Sequence, residues 1–99
     1  MGQGRRAKPV RLPEKLLQIR EGLGLSQNGL LRHLGLNEQF SQGDVSEWER
    51  GRREPSLLVL LKYARGADIA MELLVDDELD LPSRLPSKFR KESRKRRTL

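Results

Sequence analysis

Apolar residues recur along the chain in short bursts spaced three and four apart, and each burst is bounded by glycine, proline or serine. Leu16, Leu17, Ile19 and Leu23 follow Pro13, whose fixed φ suits a first helical turn, so the spacing predicts a helix from Pro13 to about Glu21, ended by Gly22 and Gly24. Ser26 is a good N-cap for a second helix that carries Leu30, Leu31 and Leu34 on one face and Gly35 at the C-cap position. Gly29 inside that helix costs about 1 kcal/mol relative to alanine. Ser41 with Asp44 three residues on forms a capping-box pair, and Val45 and Trp48 point inward before Gly51 stops the third helix. Ser56, after Pro55, caps a fourth helix with Leu57, Leu58, Leu60, Leu61 and Ala64, ending near Gly66. Ile69, Met71, Leu73, Leu74 and Val75 suggest a short fifth. No stretch alternates β-branched and polar residues, so the chain reads as all-α, a compact five-helix domain.

Charge changes the picture more than composition does. The 99 residues carry a net +6, but residues 1 to 15 contribute +4, residues 16 to 82 contribute −5 and residues 83 to 99 contribute +7. An acidic body between two basic ends predicts a flexible arm over 1–12, a folded domain over 13–76, an acidic and Pro/Ser linker over 77–87 and a basic disordered tail over 88–99. Clustered cations at the ends point to phosphate contacts, because neutralising phosphates releases counterions. The acidic run Asp76-Asp77-Glu78-Leu79-Asp80 reads either as a solubilising edge or as a surface onto which the basic tail folds back. With no cysteine there is neither a disulfide nor a thiolate metal site, and no apolar run has the length of a membrane span. The expected location is the cytoplasm, in association with the nucleoid.

The segment from Leu25 to Ser56 holds the most specific signal. Leu25-Ser26-Gln27, Leu30, Leu34-Gly35-Leu36, Val45-Ser46, Trp48-Glu49-Arg50-Gly51 and Pro55-Ser56-Leu57 together resemble the Cro/repressor type of helix-turn-helix protein, the xenobiotic response element family. The resemblance covers residues 14 to about 76. It implies a helix-turn-helix DNA-binding domain, used as a sequence-specific bacterial or phage transcriptional regulator, with a recognition helix over about 41–50 in the major groove of double-stranded DNA. Carried over by position, Ser41, Gln42, Gly43 and Glu47 face base edges. Gln27, Arg50, Arg52 and Arg53 fall where the family touches the DNA backbone, and Gln27 alternatively braces the recognition helix. Arg20 and Glu49 match a buried ion pair linking the first helix to the third. Two departures stand out: eight residues separate Leu36 from Val45, so that Asn37-Glu38-Gln39-Phe40 looks like an insertion in the turn, and Leu31 occupies a place where the family prefers alanine. A longer turn makes room for Leu31, and Phe40 is the candidate plug.

Glutamine can pair bidentately with adenine and glutamate can accept from cytosine, so direct readout rests on few side chains. A homodimer on two half-sites about 34 Å apart would add specificity, and Met71, Leu74 and Val75 are either its surface or part of one small core. A protein-interaction module is the alternative, with a partner such as a toxin docked on the domain and non-specific nucleic-acid affinity in the tails. Catalysis is not expected: His33 is the sole histidine, no metal-ligand spacing surrounds it, and no phosphate-binding glycine loop precedes a helix. No cofactor is implied.

Overall fold

Three helices of this chain begin at a serine whose oxygen is available to the first-turn amides, which have no partner inside the helix. In the computed structural model, which describes residues 8–86, five helices follow one another: α1 (Leu12–Gly22), α2 (Gln27–Leu34), α3 (Gln42–Glu49), α4 (Leu57–Ala67) and α5 (Met71–Val75). No strand occurs among the described residues. The Ser26 hydroxyl accepts from the Gly29 amide (2.9 Å) at the start of α2, and the Ser56 hydroxyl accepts from the Val59 amide (3.2 Å) at the start of α4. At α3, the Asp44 carboxylate accepts from the Ser41 amide (2.8 Å), completing a capping box. That bond, helped by Arg53, holds the Asp44 carboxyl below the usual carboxylate range.

The cap of α1 comes from the far end of the chain. Arg11, its N-cap residue, offers no side-chain cap, and Asp77 instead accepts from the amides of Val10 (2.9 Å) and Arg11 (3.0 Å). Arg11 returns the contact: its guanidinium donates to the carbonyls of Asp77 (2.8 Å) and Leu79 and pairs with Asp80 (2.7 Å) and Glu14 (3.1 Å). Lys15, fully buried, donates to the carbonyls of Leu73 (2.7 Å) and Asp76 (2.8 Å), which closes the last turn of α5. Arg11 and Asp77 thus belong to one network, and Leu81 beyond them is buried in the core. Residues 1–7 and the tail over 88–99 lie outside the described residues.

The core is built from one face of each helix, with Leu12, Leu16 and Ile19 of α1 packed with Leu30, Leu31 and Leu34 of α2, Val45 and Trp48 of α3, Leu60 and Tyr63 of α4 and Leu74 of α5. Trp48 stands edge-on to both Phe40 (5.1 Å between ring centres) and Tyr63 (6.3 Å). The Tyr63 hydroxyl is buried without a hydrogen-bond partner among the described residues, and its burial pushes its pKa up. As the spacing predicts, α4 ends near Gly66. The helix runs through it to Ala67 and stops at Asp68 in the left-handed region (φ 58°). Glycine at 66 allows α2 to approach, since a Cβ there would run into Leu34. The candidate dimer surface on α5 also changes, because Leu74 is fully buried within the monomer and of the three residues only Val75 is exposed.

The clasp at Asp77 has a pH signature. Its two backbone hydrogen bonds hold the Asp77 carboxyl below its ordinary value, so the folded state binds this proton less readily than the unfolded chain. The resulting stability is present above about pH 4 and is lost as pH falls through the lowered folded value. Urea midpoints measured from pH 7 to pH 2.5 are expected to hold level and then drop, and Asp77→Asn is expected to lower the neutral-pH midpoint and shrink the acid drop. An unchanged acid limb in that variant would remove Asp77 from the clasp.

Candidate nucleic-acid interface

The turn between α2 and α3 sets the geometry of the exposed face. Gly35 closes α2 in the left-handed conformation (φ 74°), a backbone state that costs glycine little. The chain then drops Leu36 into the core. The amides of Gln39 and Phe40 both donate to the Leu36 carbonyl (3.0 Å each), so the longer link closes on itself as one compact turn, and Phe40 lies against Trp48. Leu31 and Val45 are buried beneath it.

Two adjacent residues at the start of α2 hold opposite ends of α3. The Asn28 side chain donates to the Gln42 amide oxygen (3.1 Å) at the first residue of α3. Gln27 donates to the Glu49 carboxylate (3.1 Å) at its last. Glu49 is the anchor of this arrangement. Arg20 of α1 grips both of its oxygens, Nε at 2.6 Å and Nη2 at 3.1 Å, and uses Nη1 on the Leu25 carbonyl (3.0 Å). The side chains are 18% and 6% exposed, so the bidentate pair sits largely out of water and is screened little by salt. The fork also raises the Arg20 pKa, chiefly through the hydrogen bonds to Glu49.

The outer surface of α3 offers a different chemistry. Ser41, Gln42 and Gly43 are exposed around its first turn, and Glu47 is half-buried further along. A Cβ at Gly43 would meet only the Ser41 hydroxyl at 3.5 Å, ordinary contact, so the fold itself does not demand glycine there. Arg53 pairs with Asp44, and Arg52 lies 3.6 Å from Glu47, so these arginines neutralise two of the three carboxylates of the helix, the third, Glu49, being held by Arg20. Arg50, at the C-cap of α3, is exposed and makes no ion pair among the described residues. The sequence reading missed Asn28, whose signal was a polar amide beside Gln27, and Arg32, exposed one turn further along α2. His33 lies at the surface with Nε2 3.0 Å from the Gly66 carbonyl. Among the described residues no cluster of His, Asp and Glu could hold a metal, and no helix is long and apolar enough to cross a membrane.

Two short helices locked at a compact turn, with a buried anchor behind the second and amides and arginines in front, define a helix-turn-helix domain. A helix-turn-helix family model matches residues 16–74, more than half of the chain. The chain thus belongs to the Cro/C1-type helix-turn-helix family of DNA-binding transcriptional regulators. No curated protein and no solved structure matches it.

The anchor is open to a direct test. Arg20→Met leaves Glu49 buried with only the Gln27 amide to compensate it, and is expected to destabilise the domain by about 3 kcal/mol, the lower end for a broken buried pair. Chemical denaturation measures the loss. A change within about 0.5 kcal/mol, the scale of surface substitutions, would make the pair a bystander.

Proposed function

We propose that the protein is a sequence-specific regulator that lays α3 in the major groove of double-stranded DNA, reading bases through Ser41, Gln42, Gly43 and Glu47. The observation that carries this is the exposed Gln42 amide at the first turn of α3, held by Asn28 while the other end of the helix is fixed at Glu49. With its oxygen engaged by Asn28, Gln42 turns amide hydrogens outward as donors toward purine acceptors. Arg50, Arg52 and Arg53 contact the backbone, Arg50 as the cation with no ion-pair partner among the described residues. Gln27 acts through Glu49, bracing α3, and the second hydrogen of its Nε2 leaves it a lesser part as a donor to the backbone.

Few base-reading side chains per monomer favour action as a homodimer on paired half-sites. Leu57 and Leu58, 70% and 71% exposed at the start of α4, are the apolar pair best placed for a protein contact, whether with a second copy or with another partner. The basic tail beyond residue 87 adds phosphate affinity without sequence preference. The cytoplasm, at the nucleoid, is the corresponding location, and the chemistry is binding without catalysis.

Equilibrium binding to selected and random duplexes separates the roles. Gln42→Ala is expected to cost about 1 to 3 kcal/mol on the selected duplex and nothing on random DNA, whereas Arg50→Ala weakens both and lowers the salt slope by about one. Equal losses on both duplexes from both variants would remove α3 from the recognition role.

A further inference from the structure

Beside α3 lies a cleft that the base-reading scheme does not use. Its floor is apolar, made by Leu12, Pro13 and Trp48, and its rim carries the cations of Lys8, Arg52 and Arg53 against one carboxylate, Glu54. Arg52 and Arg53 meet Glu47 and Asp44 with part of each guanidinium, yet their side chains remain 62% and 52% exposed, so donors stay open to the cleft. The two walls meet because residue 51 is glycine: it adopts φ 76°, and a Cβ there would sit 3.1 Å from the Pro13 ring. Lys8 lines this rim two residues before the backbone that the Asp77 clasp holds. Asp77 pins the amides of Val10 and Arg11, and Pro9 between them and Lys8 restricts the remaining backbone.

A cationic rim over a partly exposed proline surface fits a sugar-phosphate unit, with the phosphate held by lysine and arginine and the deoxyribose resting on Pro9 and Pro13. We propose that this cleft seats one phosphodiester of the strand running past α3, that Lys8 is a DNA-backbone contact together with Arg52 and Arg53, and that Asp77 is its positioning residue. The inference rests on the DNA-binding reading above and adds to it a contact outside the recognition helix and a role for the acidic segment.

The test uses the full chain with a selected duplex, a random duplex and the selected duplex carrying single neutral methylphosphonates at successive flanking positions. Lys8→Ala is expected to weaken both unmodified duplexes by roughly 3- to 10-fold and to lower the salt slope by about one, with the selected sequence unchanged and Lys8→Arg restoring affinity. At one flanking position the methylphosphonate should abolish the difference between the wild-type protein and Lys8→Ala. Asp77→Asn should weaken binding, and adding Lys8→Ala to it should cost less than Lys8→Ala costs alone, as expected for coupled residues. Because Lys8 is exposed, its variant reads out independently of any loss of fold in Asp77→Asn. Unchanged affinity and slope in Lys8→Ala, or equal sensitivity of both proteins to every methylphosphonate, would overturn the proposal. Failure of the α3 reading looks different, since it appears as the absence of any selected sequence.

Discussion

The bidentate grip of Arg20 on Glu49 is the interaction on which the rest of the molecule turns. An eight-residue helix such as α3 has too few internal hydrogen bonds to stand by itself and takes its stability from packing and from anchors at its ends. Val45 and Trp48 supply the packing, but two apolar side chains leave a short helix free to rock about its axis. The ion pair removes that freedom at the C-terminal end by tying it to α1, while Gln27 adds a third hydrogen bond from α2. Asn28 does the same at the N-terminal end. A helix held at both ends presents its outer residues in one orientation, which reading base edges through hydrogen bonds requires.

The same economy of charge runs through the body. Its carboxylates outnumber its cations, which taken alone would repel a polyanion. The structure spends many of them internally. Asp44 caps α3 and pairs with Arg53, Glu47 lies near Arg52, Glu49 holds Arg20, and Asp77 and Asp80 secure Arg11. The negative charge is thereby converted into structural contacts, and Arg50 and Arg32 stand exposed on the helix-turn-helix unit. Lys15 performs the complementary task inside, closing the carbonyl end of α5 where water does not reach its side chain.

Much of the fold was legible in the sequence because its signals are local. Ser26, Ser41 and Ser56 announce helix starts within three residues of the amides they cap, and Gly35 and Gly51 mark turns by their own backbone freedom. Leucine spacing placed the core faces of α1 and α2. The features that escaped are those in which the partner is remote. Nothing near Arg11 says that Asp77 accepts from its amide, nothing near Lys15 says that it is buried, and nothing near Gly66 says that it makes room for Leu34 of α2, far away in the chain. Leu74 was ambiguous for the same reason, since a half-apolar short helix reads alike whether it faces its own core or a second molecule. At the candidate interface, nothing in the resemblance says that Arg52 and Arg53 meet carboxylates of α3, Glu47 and Asp44.

The proposed role of the braced α3 is to read sequence. Selection of bound duplexes by the full chain from a random pool at physiological salt tests it most directly. Enrichment of one short motif, as a single half-site or as two related by a two-fold axis about one helical turn apart, is the expected result. Recovery of duplexes with no shared sequence, bound with a steep salt dependence, would contradict the account and leave the domain as a scaffold whose nucleic-acid affinity is purely electrostatic.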